Sequence, residues 1–347
     1  MYIKALLQNK LFVAGSFILL TFLLCSFYYT FVLKEDVPAP YRYLYNEEGS
    51  QIGEGPFPPS LEFPFGTDMM GHSLFYMIID GAKYTILLSI LVGAARVLIG
   101  LILGFILQLL PPSIKEWFRG LFEGMHYLPL SLFTYMLAAP IFVFTWSFGE
   151  KSAFYGPIII IILLSTPVIG VYLSDEIARI YHKEFIVNAR IMGGSWWHIF
   201  KTHVRPYFLP QLFIVLLQQI VQVLIIFAHL GILGVFLGGN DRQEVDADEF
   251  TGIPVMESFS SSNEWGGLIA KYFSDFISQP NLVLWPVLFF GLTILSLNFI
   301  IEGLKNVFVD ENIKIVGKKV EQELEHTEGN SASPFSLVRD HKNTVNM

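Results

Sequence analysis

The chain has 347 residues, of which 53% are hydrophobic and only 15% charged, with a net charge of −8. A soluble domain carries about 25% charged residues, so this composition excludes an ordinary soluble globular protein. The negative balance gives no support to nucleic-acid binding, and the single cysteine, Cys25, excludes an intrachain disulfide.

About 20 consecutive apolar residues cross a bilayer as a helix. Six runs reach or approach that length: Leu11–Leu33, Ile86–Leu110, Gly124–Phe148, Gly156–Leu173, Tyr207–Leu237 and Leu282–Ile301. The first has 23 residues without a charge, more than the h-region of a signal peptide, and no small-residue cleavage site follows it. It is expected to remain as a helix, so that residues 1–33 form a short stub and the first span. Residues 34–82 follow as a long outer segment containing the turn-rich run G-E-G-P-F-P-P-S at 53–60.

The second run holds Arg96. Gly93, Arg96, Gly100 and Gly104 are spaced i, i+3, i+7 and i+11, which is one stripe of a helix, and Gly100-x-x-x-Gly104 is a small-residue packing signature. An arginine at the centre of a span costs about 2.5–3.5 kcal/mol on translocon scales, so the stripe is expected to face protein or water. Arg96 is either a charge on a solute pathway or a packing residue tied to backbone carbonyls. The lack of any Asp or Glu inside the six runs favours the second and counts against an ion-coupled secondary transporter.

Between the fourth and fifth runs lies a polar, basic loop, residues 175–206. Lys183–Met192 is predicted to form a short helix with Phe185, Ala189 and Met192 on one face at i, i+4 and i+7. Gly193-Gly194 supplies a C-cap, and Pro206 suits the first turn of the fifth span. An apolar spot with a basic rim fits insertion into a groove on a partner. Trp196 and Trp197 are expected at the membrane interface.

Residues 239–281 form a second long outer loop, opening on an acidic run: Asp241, Glu244, Asp246, Asp248 and Glu249. This run lacks the spacing of a calcium loop and reads as a solvated face. The tail from 309 to 347 is polar and expected to be partly disordered. The basic residues orient the whole. With the N-terminus inside, the inner segments hold 15 of the 22 and the outer ones 5, so both termini are expected to be cytoplasmic.

Three blocks then make the chain resemble the oligopeptide/dipeptide/nickel class of ABC-importer permeases, the second or "C" permease. They are F-G-T-D-M-M-G-H-S at 65–73 with D-G-A-K-Y-T-I-L-L at 80–88, the loop at 175–206, and N-E-W-G-G-L-I at 263–269 with L-N-F-I-I-E-G-L-K at 297–305. Gly66, Thr67, Asp68 and Gly71 match the family's outer motif, with His72-Ser73 in place of its Arg-Asp. The family's E-A-A-R-x-x-G loop corresponds to Val187, Asn188, Ala189, Arg190 and Gly193, so the usual Glu is Val187.

The resemblance covers about Phe65 to Phe308. It implies an all-α membrane protein with about six transmembrane helices, a type I ABC-importer permease fold with its core at 83–308, and a cytoplasmic coupling helix. Glu184, Phe185, Val187, Asn188, Ala189, Arg190, Met192 and Gly193 would then meet an ATPase. The implied partners are a second homologous permease subunit, two cytoplasmic ATPase subunits, an extracellular substrate-binding protein and the lipid bilayer, with no nucleic acid. No G-x-x-x-x-G-K-[ST] phosphate loop occurs, so the chain is expected to be no enzyme and to need no cofactor of its own, ATP and magnesium residing on the partner subunits. The alternatives are a secondary transporter, or an interaction protein on a permease fold that has lost coupling.

Overall fold

The structure, a computed structural model, describes residues 2–35, 37, 42–45, 51–143, 150–247 and 254–329. Helices dominate it. A short α1 (Tyr2–Gln8) leads into α2 (Lys10–Tyr28), which Asn9 caps by accepting the N–H groups of Leu11 and Phe12 on its side-chain oxygen. A five-residue π-turn, Tyr29–Leu33, completes the first span. A small hairpin, β1 (Tyr43–Tyr45) and β2 (Gln51–Glu54), precedes the 36-residue α3 (Leu74–Leu109).

Then follow the amphipathic α4 (Pro112–Glu123), α5 (Leu130–Val143) and α6 (Glu150–Tyr181). The connection beyond α6 is built from α7 (Glu184–Ile191), the single turn α8 (Trp196–Ile199) and a π-turn at Phe200–Val204, and it feeds α9 (Arg205–Ile232). A hairpin of β3 (Asn240–Ala247) and β4 (Pro254–Ser260), then α10 (Trp265–Tyr272), lead to α11 (Pro280–Gly329).

Among the described residues, five helical stretches are long and apolar enough to span a membrane: Lys10–Leu33, Leu74–Leu109, Lys151–Tyr181, Trp197–Ile232 and Pro280–Phe308. Of the sixth expected span, Gly124–Phe148, the described residues cover 124–143. Its first residues form a 3-10 turn, Gly124–Tyr127, ahead of Pro129, and α5 keeps 14 residues. Residues 144–149 lie outside the described residues.

Two boundaries move for physical reasons. The helix of the second run begins at Leu74, ahead of the outer-segment boundary at 82, so Asp80 and Lys83 fall inside a spanning helix. The run Ile86–Leu110 itself holds no acid, but the helix that carries it does. The two side chains form a buried ion pair, and Lys83 Nζ also donates to Asp80 O at 3.0 Å. At the other end, α11 continues past Val309 to Gly329, through a segment rich in helix-forming Glu, Lys and Gln. Residues 330–347 of the expected tail lie outside the described residues.

α3 packs along α6 and α9, α2 along α11 and α3, and α9 against α10 and α11. The main core gathers Leu74, Ile78, Ile86, Leu224, Leu230, Trp265, Leu268 and Phe290. α3 has two distinct sides. Leu87, Leu91, Leu98, Ile102 and Ile106 are exposed on one, while Gly93, Arg96, Gly100 and Gly104 are buried on the other.

Candidate functional site: a short exposed helix, a carboxylate latch and a buried arginine

Three places carry chemistry, one at each end of the bundle and one between them.

At the end where α6 meets α9, α7 stands on a small core of its own. Ile186 is fully buried against Ile177, Ile180, Ile199, Val204 and Phe208. The helix ends in a Schellman motif: the N–H of Gly193 donates to Arg190 O and that of Gly194 to Ala189 O, both at 3.0 Å. Gly193 has φ +82°, a left-handed conformation that disfavours a Cβ.

The apolar face expected at Phe185, Ala189 and Met192 is divided. The Phe185 ring lies 5.2 Å from that of Tyr207, and Ala189 packs on the small core. Val187 and Ile191, at i and i+4, are exposed together with Met192, which is 87% exposed. These three make the outward apolar spot, flanked by Glu184, Asn188 and Arg190 on the exposed surface. Lys183 sits over the Tyr207 ring at 4.7 Å, tying the start of α7 to α9. Trp197 is exposed and stacks on Phe200.

At the opposite end, the Gly66–Gly71 motif folds around Asp68, which is 1% exposed. Gly66 and Gly71 take φ +83° and +82° and turn the chain on either side of it. Thr67 joins the segment to the preceding loop, its hydroxyl accepting from Phe57 N–H at 2.8 Å. Asp68 Oδ1 accepts the N–H groups of Met70 and His72 at 3.0 and 2.8 Å. Oδ2 lies 3.1 Å from His72 Nδ1, 3.2 Å from Lys271 Nζ and 2.9 Å from the Tyr272 hydroxyl, which donates to it. His72, standing where the resemblance expects Arg, thus still faces a carboxylate.

Burial opposes ionisation of Asp68, but the hydrogen bonds from His72 and the charge of Lys271 outweigh it and hold the carboxyl well below the ordinary range. Burial and the same carboxylate push the Tyr272 phenol well above its usual value.

The sign of the pH effect follows. A carboxyl depressed in the folded state adds stability that is complete above its unfolded value of about 4 and is lost as pH falls through the folded one. Acid should therefore loosen this latch first, and Asp68→Asn should flatten the acid limb of the unfolding profile. Asp68→Ala leaves Lys271 and Tyr272 without their partner and is expected to cost about 3–5 kcal/mol. Thermal unfolding of the purified protein from pH 7 to pH 3 checks both. Equal acid sensitivity in wild type and Asp68→Asn would refute the assignment.

The 263–266 segment adjoins this end. Glu264 caps α10 and is buried, its Oε1 accepting Leu237 N–H at 3.1 Å. Burial pushes its carboxyl up, against hydrogen bonds from the N–H groups of Gly267, Leu237, Gly266 and Gly238. Trp265 is fully buried, with its indole N–H on Ile78 O at 2.9 Å and its backbone N–H on Thr85 Oγ1 at 3.0 Å.

Between the two ends, the glycine stripe brings helices into close approach. A Cβ on Gly93 would lie 2.8 Å from Ile220 of α9, on Gly100 2.6 Å from Ile169 of α6, and on Gly104 3.0 Å from Gly170 O. Arg96, 1% exposed, sits where α3, α6 and α9 converge. Its described partners are side chains rather than the expected backbone carbonyls: Nε donates to Ser165 Oγ at 2.6 Å and Nη2 to Gln222 Oε1 at 3.1 Å. It lines a cavity of about 310 Å³ together with Ser165, Tyr172, Gln218, Gln219 and Gln222.

Sequence reasoning missed Ile186, His72, Lys271 and these glutamines. The only signal for the last was their i, i+1, i+4 clustering in an otherwise apolar run.

The acidic run of the 239–281 loop lies partly on β3, at Asp241, Glu244 and Asp246. Asp248 and Glu249 lie outside the described residues.

A multi-helix membrane bundle with a short exposed helix interposed between two spans is the architecture of a transport permease subunit. The chain belongs to the family described as binding-protein-dependent transport system inner membrane component, whose sequence pattern matches residues 96–311. It is 24% identical over 311 residues to a glutathione transport system permease protein of Pectobacterium atrosepticum, covering 90% of each chain. It is 25% identical over 303 residues to a dipeptide transport system permease protein of Alkalihalophilus pseudofirmus, covering 87% of this chain and 86% of that one. It is thus a multi-pass membrane protein, an ABC-importer permease rather than a catalytic component.

Proposed function

We propose that this chain forms one half of the translocation pathway of an ATP-driven importer for short peptides, with a second permease subunit completing the pathway. Two ATPase subunits would dock on α7 at the cytoplasmic end, and a substrate-binding protein would deliver solute at the end built around Asp68 and Glu264. The observation that carries this reading is α7: a capped helix with its own buried anchor, Ile186, and an exposed apolar spot at Val187, Ile191 and Met192. A helix that only closed the bundle would have no reason to show three apolar side chains at a polar end. The relatives' names support peptides as the solute class.

The mechanism assigned to the chain is mechanical. Closure of the ATPase pair would push α7, and α7 is joined to α6 and α9 through one small core, so both spans would move with it. No proton or ion relay is needed. Asp80, an acid within the Leu74–Leu109 stretch, is already paired with Lys83 and is held by Asn263 Nδ2 at 3.4 Å.

Proteoliposomes holding the purified complex, with ATP sealed inside and binding protein outside, test the reading. Tripeptide uptake should require lumenal ATP, and uptake driven by a proton gradient without ATP would overturn it. Orientation is tested separately on a Cys25→Ser background. Leu61→Cys should react with an impermeant maleimide in intact cells, and Met192→Cys only after permeabilisation; the reverse pattern would invert the topology.

A further inference from the structure

Arg96 carries a charge into the bundle and is given less than it needs there. Among the described residues, none that lines its cavity is acidic, and its Nη1 is buried without a hydrogen-bond partner. In the same cavity the side-chain oxygen of Gln219 is also buried and unpartnered. An arginine retained only for packing is expected to have its donors satisfied, because an unpaired buried donor of this kind is costly.

α9 adds an independent observation. Gln218 and Gln222 are exposed on the surface of the isolated chain. They lie near the midpoint of α9, where amide groups facing acyl chains would be left without hydrogen bonds. That face of α9 must therefore meet water or protein, and Arg96 reaches it through Gln222.

We propose that the cavity around Arg96 is a membrane-embedded subsite for a carboxylate of the passing solute, specifically the C-terminal carboxylate of a peptide; this rests on the peptide-import reading above. The guanidinium is the anchor. A carboxylate that replaces the Gln222 oxygen on Nη2 also reaches Nη1, giving the two-pronged pairing for which arginine is suited. The displaced Gln222 amide keeps its NH₂ donors for the same carboxylate. The orphan oxygen of Gln219 accepts the N–H of the last peptide bond. Leu130 and Val168, which also line the cavity, offer an apolar wall to the side chain. A free cation is repelled by the guanidinium, and a neutral sugar leaves its charge uncompensated.

The test uses the reconstituted complex and one tripeptide library supplied both as free acids and as C-terminal amides. The measured quantity is the acid-over-amide uptake ratio in wild type divided by that in Arg96→Gln. Any selection by the binding protein is common to both and cancels. Loss of one charge-assisted pairing is expected to lower the ratio by about tenfold. Arg96→Lys keeps the charge but not the fork, and is expected to lower it by roughly threefold.

Equal ratios in wild type and Arg96→Gln overturn the subsite alone, and this is also the result if the arginine holds chloride or a lipid phosphate. If Arg96→Gln does not assemble, the Arg96→Lys ratio decides, and an unchanged value overturns the proposal. Uptake of neither form by wild type overturns the import reading and the subsite together.

Discussion

Gly81→Ala is expected to abolish the yield of folded protein from membranes, although it adds a single methyl group to an exchange that usually favours a helix. A Cβ at this position would lie 1.9 Å from the carbonyl oxygen of Asn263 and 2.8 Å from its carbonyl carbon. Those are backbone atoms, and they cannot rotate aside. Asn263 itself has φ +52°, so the turn before α10 has little room to adjust. Moving it would pull Trp265 away from Ile78 O and Thr85 Oγ1, and loosen Asn263 from Asp80.

Overpacking in a tight core costs about 1–3 kcal/mol. Here it would also break buried hydrogen bonds worth about 1 kcal/mol each. Gly291→Ala serves as the control, since nothing lies within 4 Å of a Cβ there. It should be neutral or slightly stabilising. The yield of folded protein in detergent compares the two, and similar yields with similar thermal midpoints would refute the close approach of α3 to the 263–265 turn.

Gly193→Pro is expected to disconnect transport from ATP hydrolysis while leaving the spans in place. Proline holds φ near −65°, whereas Gly193 sits at +82°, and it removes the N–H that donates to Arg190 O. The Schellman motif is lost and the chain leaves α7 in another direction. Ile191→Asp attacks the same function differently. It puts a charge on the exposed spot without touching Ile186, so α7 keeps its seat and only the docked surface changes.

Both variants should insert normally and lower coupled uptake by about tenfold or more, the effect of losing roughly 1.4 kcal/mol of docking free energy. Co-purification of the ATPase subunits separates the causes, with Ile191→Asp weakening association most directly. Wild-type uptake in both variants would exclude α7 as the docking element. Val187→Glu restores the carboxylate that the resemblance expects beside the same spot, and it interrupts the Val187–Ile191 apolar pair. ATPases adapted to this chain should bind it less well.

Much of the architecture was legible in one dimension. Spans announce themselves because each must satisfy its own backbone hydrogen bonds and present apolar side chains, so long apolar runs and the fold class follow from local composition. α7 was legible for a similar reason: Gly193-Gly194 is a local stop signal, and the helix before it is predicted at 183–192 and observed at Glu184–Ile191.

What the sequence by itself determined was the set of elements whose causes are local: the spans, the short helix with its glycine stop, and the packing stripe of Gly93, Gly100 and Gly104. What only the tertiary structure decided was everything settled by a distant partner. Hydropathy starts the second span only at residue 86 because Asp80 and Lys83 read as polar, yet they neutralise each other inside α3. Asp68 reads as a turn residue until Lys271 and Tyr272, some 200 positions on, close around it. Arg96 finds Ser165 and Gln222 from two other helices, 69 and 126 residues away. A charge buried in a membrane bundle is stable only through the groups brought to it, and those groups are fixed by helix packing rather than by sequence neighbourhood.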